Sequence, residues 1–60
     1  MWERRYGLGV AEMWYNKQLD KMIYCVRHHD WDVIMNGKIL TSFKEQQQAI
    51  DFIHQYIEEN

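Results

Sequence analysis

The sequence predicts an α+β domain, a three-stranded antiparallel meander packed on one C-terminal amphipathic helix, with room for a fourth strand near the N-terminus. Three observations carry this. Asn36-Gly37 splits the apolar runs Trp31–Met35 and Lys38–Ser42, and Asn-Gly tolerates the positive φ that both centres of a type I′ hairpin turn require. Upstream, Lys21–His28 is a third β-rich run. Downstream, apolar residues recur at helical spacing to the end of the chain.

Taking Asn36-Gly37 as a two-residue loop pairs Met35 with Lys38, Ile34 with Ile39, Val33 with Leu40 and Asp32 with Thr41. A tight turn at His29-Asp30 would then pair His28 with Trp31, Val26 with Val33 and Tyr24 with Met35. That register sets Arg27 opposite Asp32, and an opposite-charge pair across strands contributes roughly 0.2–1 kcal/mol. Side chains alternate between faces, so Tyr24, Val26, Trp31, Val33, Met35 and Leu40 share one face. Ile23, Cys25, Ile34 and Ile39 form a smaller stripe on the reverse.

The helix follows from Ser42-Phe43-Lys44-Glu45, in which serine three residues before glutamate fits a capping box. Phe43, Gln46, Ala49, Ile50, Ile53, Tyr56 and Ile57 lie along one side, and Lys44, Gln47, Gln48, Asp51, Gln55, Glu58 and Glu59 along the other. Phe52 and His54 flank the apolar stripe. These elements, residues 21–60, make a β-β-β-α unit.

Residues 1–20 admit two readings. Trp2, Tyr6, Leu8, Val10 and Trp14 sit at even positions, which suits a strand with Gly7 and Gly9 at a bulge or bend. Val10, Met13, Trp14 and Lys17 also recur at helical spacing. We expect extended structure through about Val10 and leave Ala11–Gln18 open between strand and helix.

The chain has 60 residues, which fits a single small domain with a marginal core, since a domain of that size buries only about 60% of its unfolded surface. One cysteine, Cys25, excludes an intramolecular disulfide, and it makes no structural zinc pattern with the three histidines. Three Trp, four Tyr and two Phe exceed what so small an interior absorbs. Aromatics left at the surface point to an interface, and small domains without staples often gain stability by oligomerising, so a homodimer is expected.

A formal net charge of −2 disfavours a nucleic-acid partner, since phosphate binding needs a basic face. Arg4, Arg5, Lys21, Arg27 and Lys38 are the cations such a partner would use. No apolar run approaches the length that crosses a bilayer and no apolar leader block opens the sequence, so a cytoplasmic protein without a membrane partner is expected.

His28, His29, Asp30 and Asp32 are the densest group of potential ligands or acid-base side chains. The strand register points His28 and Asp32 to opposite faces, and His29 and Asp30 fit a solvated turn. Cys25 has no base nearby in sequence, and His54 reads as an edge residue. No phosphate loop, catalytic carboxylate pair or serine elbow is present. The sequence therefore predicts a non-enzyme with no catalytic residues, no cofactor and no metal.

Trp31, Met35 and the stripe from Ile50 to Ile57 are assigned to the core. Met13, Met22 and Met35 with the tryptophans suit an adaptable contact patch. Trp2, Tyr6, Trp14 and Tyr15, with Ile23, Ile34 and Ile39 on the second sheet face, are the expected partner or dimer interface. From Ile23 to Ile57, the order of a strand, Trp31-Asp-Val33, Asn36-Gly37-Lys38, Ser42-Phe43 and Ala49-Ile50 resembles small bacterial and phage β-β-β-α domains of unknown function. That resemblance implies the fold. By analogy, a very small, proline-free, aromatic-rich chain without a catalytic set suggests an accessory protein of phage or mobile-element type, which regulates or inhibits a larger host protein. Single-stranded nucleic-acid binding through sheet aromatics is the alternative.

Overall fold

The computed structural model describes residues 1–60. Five strands come first, β1 (Trp2–Arg5), β2 (Val10–Asn16), β3 (Lys21–Arg27), β4 (Trp31–Met35) and β5 (Lys38–Phe43), followed by the helix α1 (Gln46–Glu59). Each strand pairs antiparallel with the next, in the order β1-β2-β3-β4-β5. The class is α+β, as expected, but the meander has five strands rather than three or four. Both extra strands come from the N-terminal segment. Ala11–Asn16 is strand throughout, which removes the helical alternative.

The Asn36-Gly37 turn is as the sequence predicts, with φ of +49° and +81° and the pairs Met35–Lys38 and Ile34–Ile39 beside it. Asn36 does more than tolerate that φ. Its Oδ1 accepts the Met22 amide at 2.9 Å, its own amide donates to the Met22 carbonyl at 3.1 Å, and its Nδ2 donates to the Asp20 carbonyl at 3.3 Å. One residue thus ties the β4–β5 turn to the β2–β3 turn.

Beyond Ile39 the expected register fails, because Leu40 is the extra residue of a β-bulge. Val33 consequently pairs with Thr41, Asp32 with Ser42 and Trp31 with Phe43. A second bulge lies in β2, where Val10 pairs with Val26 but Glu12 with Cys25, leaving Ala11 extra.

The β3–β4 register is also one residue away from the expected one. The loop is His28–Asp30 rather than His29-Asp30, so Ile23 pairs with Met35, Tyr24 with Ile34, Cys25 with Val33, Val26 with Asp32 and Arg27 with Trp31. A slip of one residue exchanges the faces of a strand. Ile23 and Cys25 therefore join Trp31, Val33 and Met35, while Tyr24 and Val26 join Ile34.

Helix α1 starts at Gln46, and Glu45 rather than Ser42 is its N-cap, with the Glu45 amide donating to Gln48 Oε1 at 3.3 Å. Ser42 and Phe43 remain in β5. The helix lies across β2 to β5 on one face of the sheet. Ile23, Cys25, Val33, Ala49 and Ile53 are fully buried there, and burying a Val or Ile side chain contributes about 1.5–3 kcal/mol. Trp31, Met35, Ile50, Tyr56 and Ile57 pack around them, in line with their core assignment. No helix is long and apolar enough to cross a membrane.

Candidate interaction face and two bonded carboxylates

The register divides the functional candidates between the two faces. Trp2, Trp14 and Ile23 belong to the helix side. Trp2 meets Tyr56 edge-on with ring centroids 6.0 Å apart, Trp14 meets the His54 ring at 6.2 Å, and Ile23 is fully buried. These three expected interface residues are core, because β1 and β2 extend the sheet and place their even-numbered aromatics against the helix. Phe52 likewise packs on Phe43, with centroids 5.8 Å apart.

The other face has no element over it. Registers across the sheet place Arg5, Met13, Tyr24, Ile34 and Ile39 in one row, and Glu3, Tyr15 and Met22 in the next. Tyr15, Ile34 and Ile39 of the expected interface are therefore on this face, with Tyr6 at its edge. Ile39 is 60% exposed and Tyr6 83% exposed, Met13, Tyr15, Met22 and Tyr24 are half-buried, and Ile34 is buried beneath its neighbours. Arg5, Tyr6, Met13, Tyr15 and Met22 line a shallow depression of about 300 Å3. Met13 and Met22 are together on this face, but the tryptophans expected to join them in an adaptable patch lie on the helix side. Met35 faces the helix instead, accepting a contact from the Tyr56 hydroxyl at 3.6 Å.

Cations border the tyrosines. The Arg5 guanidinium lies 5.3 Å from the Tyr15 ring centroid and Arg4 lies 4.5 Å from that of Tyr6. Both are already partnered by carboxylates, Arg5 by Glu3 and Arg4 by Glu12, each at 3.2 Å.

Glu12 and Asp32 are the buried acids, on opposite faces of the sheet. The extra residue Ala11 moves Val10 to the open face opposite Val26, while Glu12 keeps the alternation of Trp14 and lies on the helix face. There Oε1 meets Arg4, and Oε2 accepts Trp14 Nε1–H at 2.9 Å and lies 2.5 Å from His54 Nε2. Burial alone would raise the Glu12 pKa, but the Trp14 and His54 hydrogen bonds and the Arg4 charge together hold it below the usual glutamate range. Sequence reasoning did not single out Glu12. A lone charge inside Val10-Ala-Glu-Met-Trp14 was the available signal, since an acid flanked by apolar residues on both sides needs partners when it is buried.

In β5 the extra residue Leu40 sets Ser42, rather than Thr41, opposite Asp32. The Ser42 hydroxyl donates to Asp32 Oδ1 at 2.6 Å, and His28 Nδ1 lies 2.7 Å from Oδ2. The expected separation of His28 and Asp32 is thus overturned, because the one-residue register change puts Asp32 on the face of Val26, where His28, two residues on, reaches it. Hydrogen bonds from Ser42 and then His28 keep the Asp32 pKa below the usual aspartate range. Asp32 stands between the other two, whereas a nucleophilic triad places histidine between serine and acid. The serine proton here points at a carboxylate, so the trio orders the loop without activating an oxygen.

Cys25 is fully buried beside Glu12, and burial pushes its thiol pKa up, away from nucleophilic character. No three His, Cys, Asp or Glu side chains converge as metal ligands. No protein-family model, curated protein or solved structure matches the chain.

Proposed function

We propose that this chain is a non-catalytic protein-interaction module, a small regulator or inhibitor that presents the uncovered face of its sheet to a larger protein. One observation carries the reading. A row of apolar side chains, Met13, Tyr24 and Ile39 around the buried Ile34, crosses the sheet with no element of the chain over it, while Arg5 at one end and Asp32 in the neighbouring row supply charge at its border. An apolar centre with a polar rim is the ordinary anatomy of a protein interface. Methionine and tyrosine there add adaptability and contact area at low entropic cost. An accessory role of phage or mobile-element type fits this size and composition.

Capture from lysate with the wild type and with a Tyr24→Lys/Ile39→Lys variant of unchanged circular dichroism tests it. A protein retained by the wild type, lost by the variant and indifferent to nuclease supports the proposal. The same proteins recovered with both baits refutes it.

Single-stranded nucleic-acid binding is the second reading, favoured by Arg5 lying over Tyr15 on the same face. Stacking platforms of this kind are sequence-tolerant and strongly salt-dependent. Retention of an oligonucleotide at physiological salt, lost on replacing Tyr15 by alanine, would favour it over a protein partner.

A further inference from the structure

The sheet has two free edges, β1 and β5, and they differ in how well they are protected. An unpaired edge strand is a template for another chain unless it is bulged, twisted, covered, very short or charged against the incoming strand. The charges of the four-residue β1 admit only a strand that complements them. The β5 edge carries the Leu40 bulge, which interrupts its ladder. The β1 edge is regular from Trp2 to Arg5 and lies beyond the strands that α1 chiefly covers. The most exposed large apolar side chains, Leu8, Met1 and Tyr6, all flank this strand, at 106%, 90% and 83% exposure.

We infer that β1 pairs antiparallel with β1 of a second copy, about a two-fold axis at Arg4, joining the two sheets into one. The charges of the strand select the occupant and the register. Only registers centred on a residue keep both open faces on the same side of the joined sheet, because opposed residues in an antiparallel pair share a face. Centring on Glu3, Arg4 or Arg5 opposes one like-charged pair at the axis in each case, but centring on Glu3 or on Arg5 offers no opposite-charge pair to offset it. Centring on Arg4 sets Glu3 of each copy against Arg5 of the other, both on the open face. Within one chain Glu3 and Arg5 already form an ion pair at 3.2 Å, so the two pairs would close into a ring of four alternating charges. The two Arg4 side chains meet on the helix face, where each is neutralised by its own Glu12 at 3.2 Å.

The joined edge and the open face are different surfaces, so this inference goes beyond the proposed function and stands or falls apart from it. A symmetric contact of this kind uses the same patch on both subunits, and it therefore makes a strong prediction about charge reversal.

Sedimentation at micromolar concentration is the test, applied to the wild type, Glu3→Arg, Arg5→Glu and an equimolar mixture of the two variants. Both side chains are largely exposed, so the folds survive, which circular dichroism checks. The wild type should sediment at twice the 7.5 kDa chain mass and each variant alone at the single mass. The mixture should return to twice the mass, because two arginines of one variant then face two glutamates of the other across the joined edge. A wild-type monomer overturns the inference. So do dimers that survive both single reversals, and so does a mixture that stays monomeric. The open-face variant Tyr24→Lys/Ile39→Lys should remain dimeric, which separates failure of this contact from failure of the partner-binding face.

Discussion

Glu12 Oε2 on β2 lies 2.5 Å from Nε2 of His54 on α1, a polar tie between the helix and the sheet beside a mainly apolar core. Removing the acid strips partners from Arg4, Trp14 and His54 together. Glu12→Ala should therefore lower unfolding free energy by about 1–3 kcal/mol, more than His54→Ala, because His54 is half-exposed and water replaces its bond. Urea melts of both single variants and the double variant form a cycle, in which these contacting residues should couple by about 0.5–3 kcal/mol. Strict additivity would show that the pair contributes nothing.

Acid should destabilise the fold through these same groups. Glu12 and Asp32 both have folded pKa values below their unfolded ones, so the stability they contribute is present above the unfolded carboxylate range of about pH 4. It is lost as pH falls through the depressed folded values. The urea midpoint should decline as pH is lowered from about 5 towards 2, with a shallower slope in Glu12→Gln and in Asp32→Asn. A midpoint rising on acidification contradicts the assigned hydrogen bonds.

Cys25 should be silent to thiol reagents in the native protein. The side chain is fully buried and its pKa is raised by burial, so little thiolate is present and no path reaches it. Ellman titration should report one thiol only in denaturant. Rapid native labelling would mean that the helix lifts readily from the sheet.

The hairpin turn offers a comparison between backbone strain and hydrogen bonding. A Cβ on Gly37 would meet no atom within 4 Å, so Gly37→Ala costs only the positive φ of +81°, about 1–2 kcal/mol. Asn36→Gly keeps that freedom but loses the side-chain bonds to Met22 and Asp20. Thermal melting should show both variants destabilised, with the Asn36 loss at about 0.5–1.5 kcal/mol per bond. An Asn36→Gly protein as stable as the wild type would leave those two bonds without energetic weight.

The sequence made the Asn36-Gly37 turn and the apolar stripe of α1 legible because both rest on local chemistry, a dihedral preference and a 3.6-residue period. The β3–β4 register was not legible, since Met22, Tyr24 and Val26 alternate with Ile23 and Cys25 and either set could serve as a core face. The Arg27–Asp32 charge pair favoured the wrong choice, because Asp32 is instead satisfied by Ser42 and His28. Neither bulge has a glycine to mark it, so the facing of Val10 and Ser42 follows only from the assembled sheet. With Ser42 held by Asp32, the helix takes Glu45 as its cap. The open face was visible as a surplus of aromatics, although the sequence assigned Trp2, Trp14 and Ile23 to it and the sheet assigns them to the core.

The central claim is that the uncovered sheet face meets a partner protein. A photo-crosslinking residue placed at Tyr24, in the middle of that face, and separately at Asp51, on the outer side of α1, tests this most directly. Irradiation in native lysate should join the probe at position 24 to a discrete larger protein and yield none from position 51. Adducts from position 51 alone would contradict the claim and move the contact to the helix.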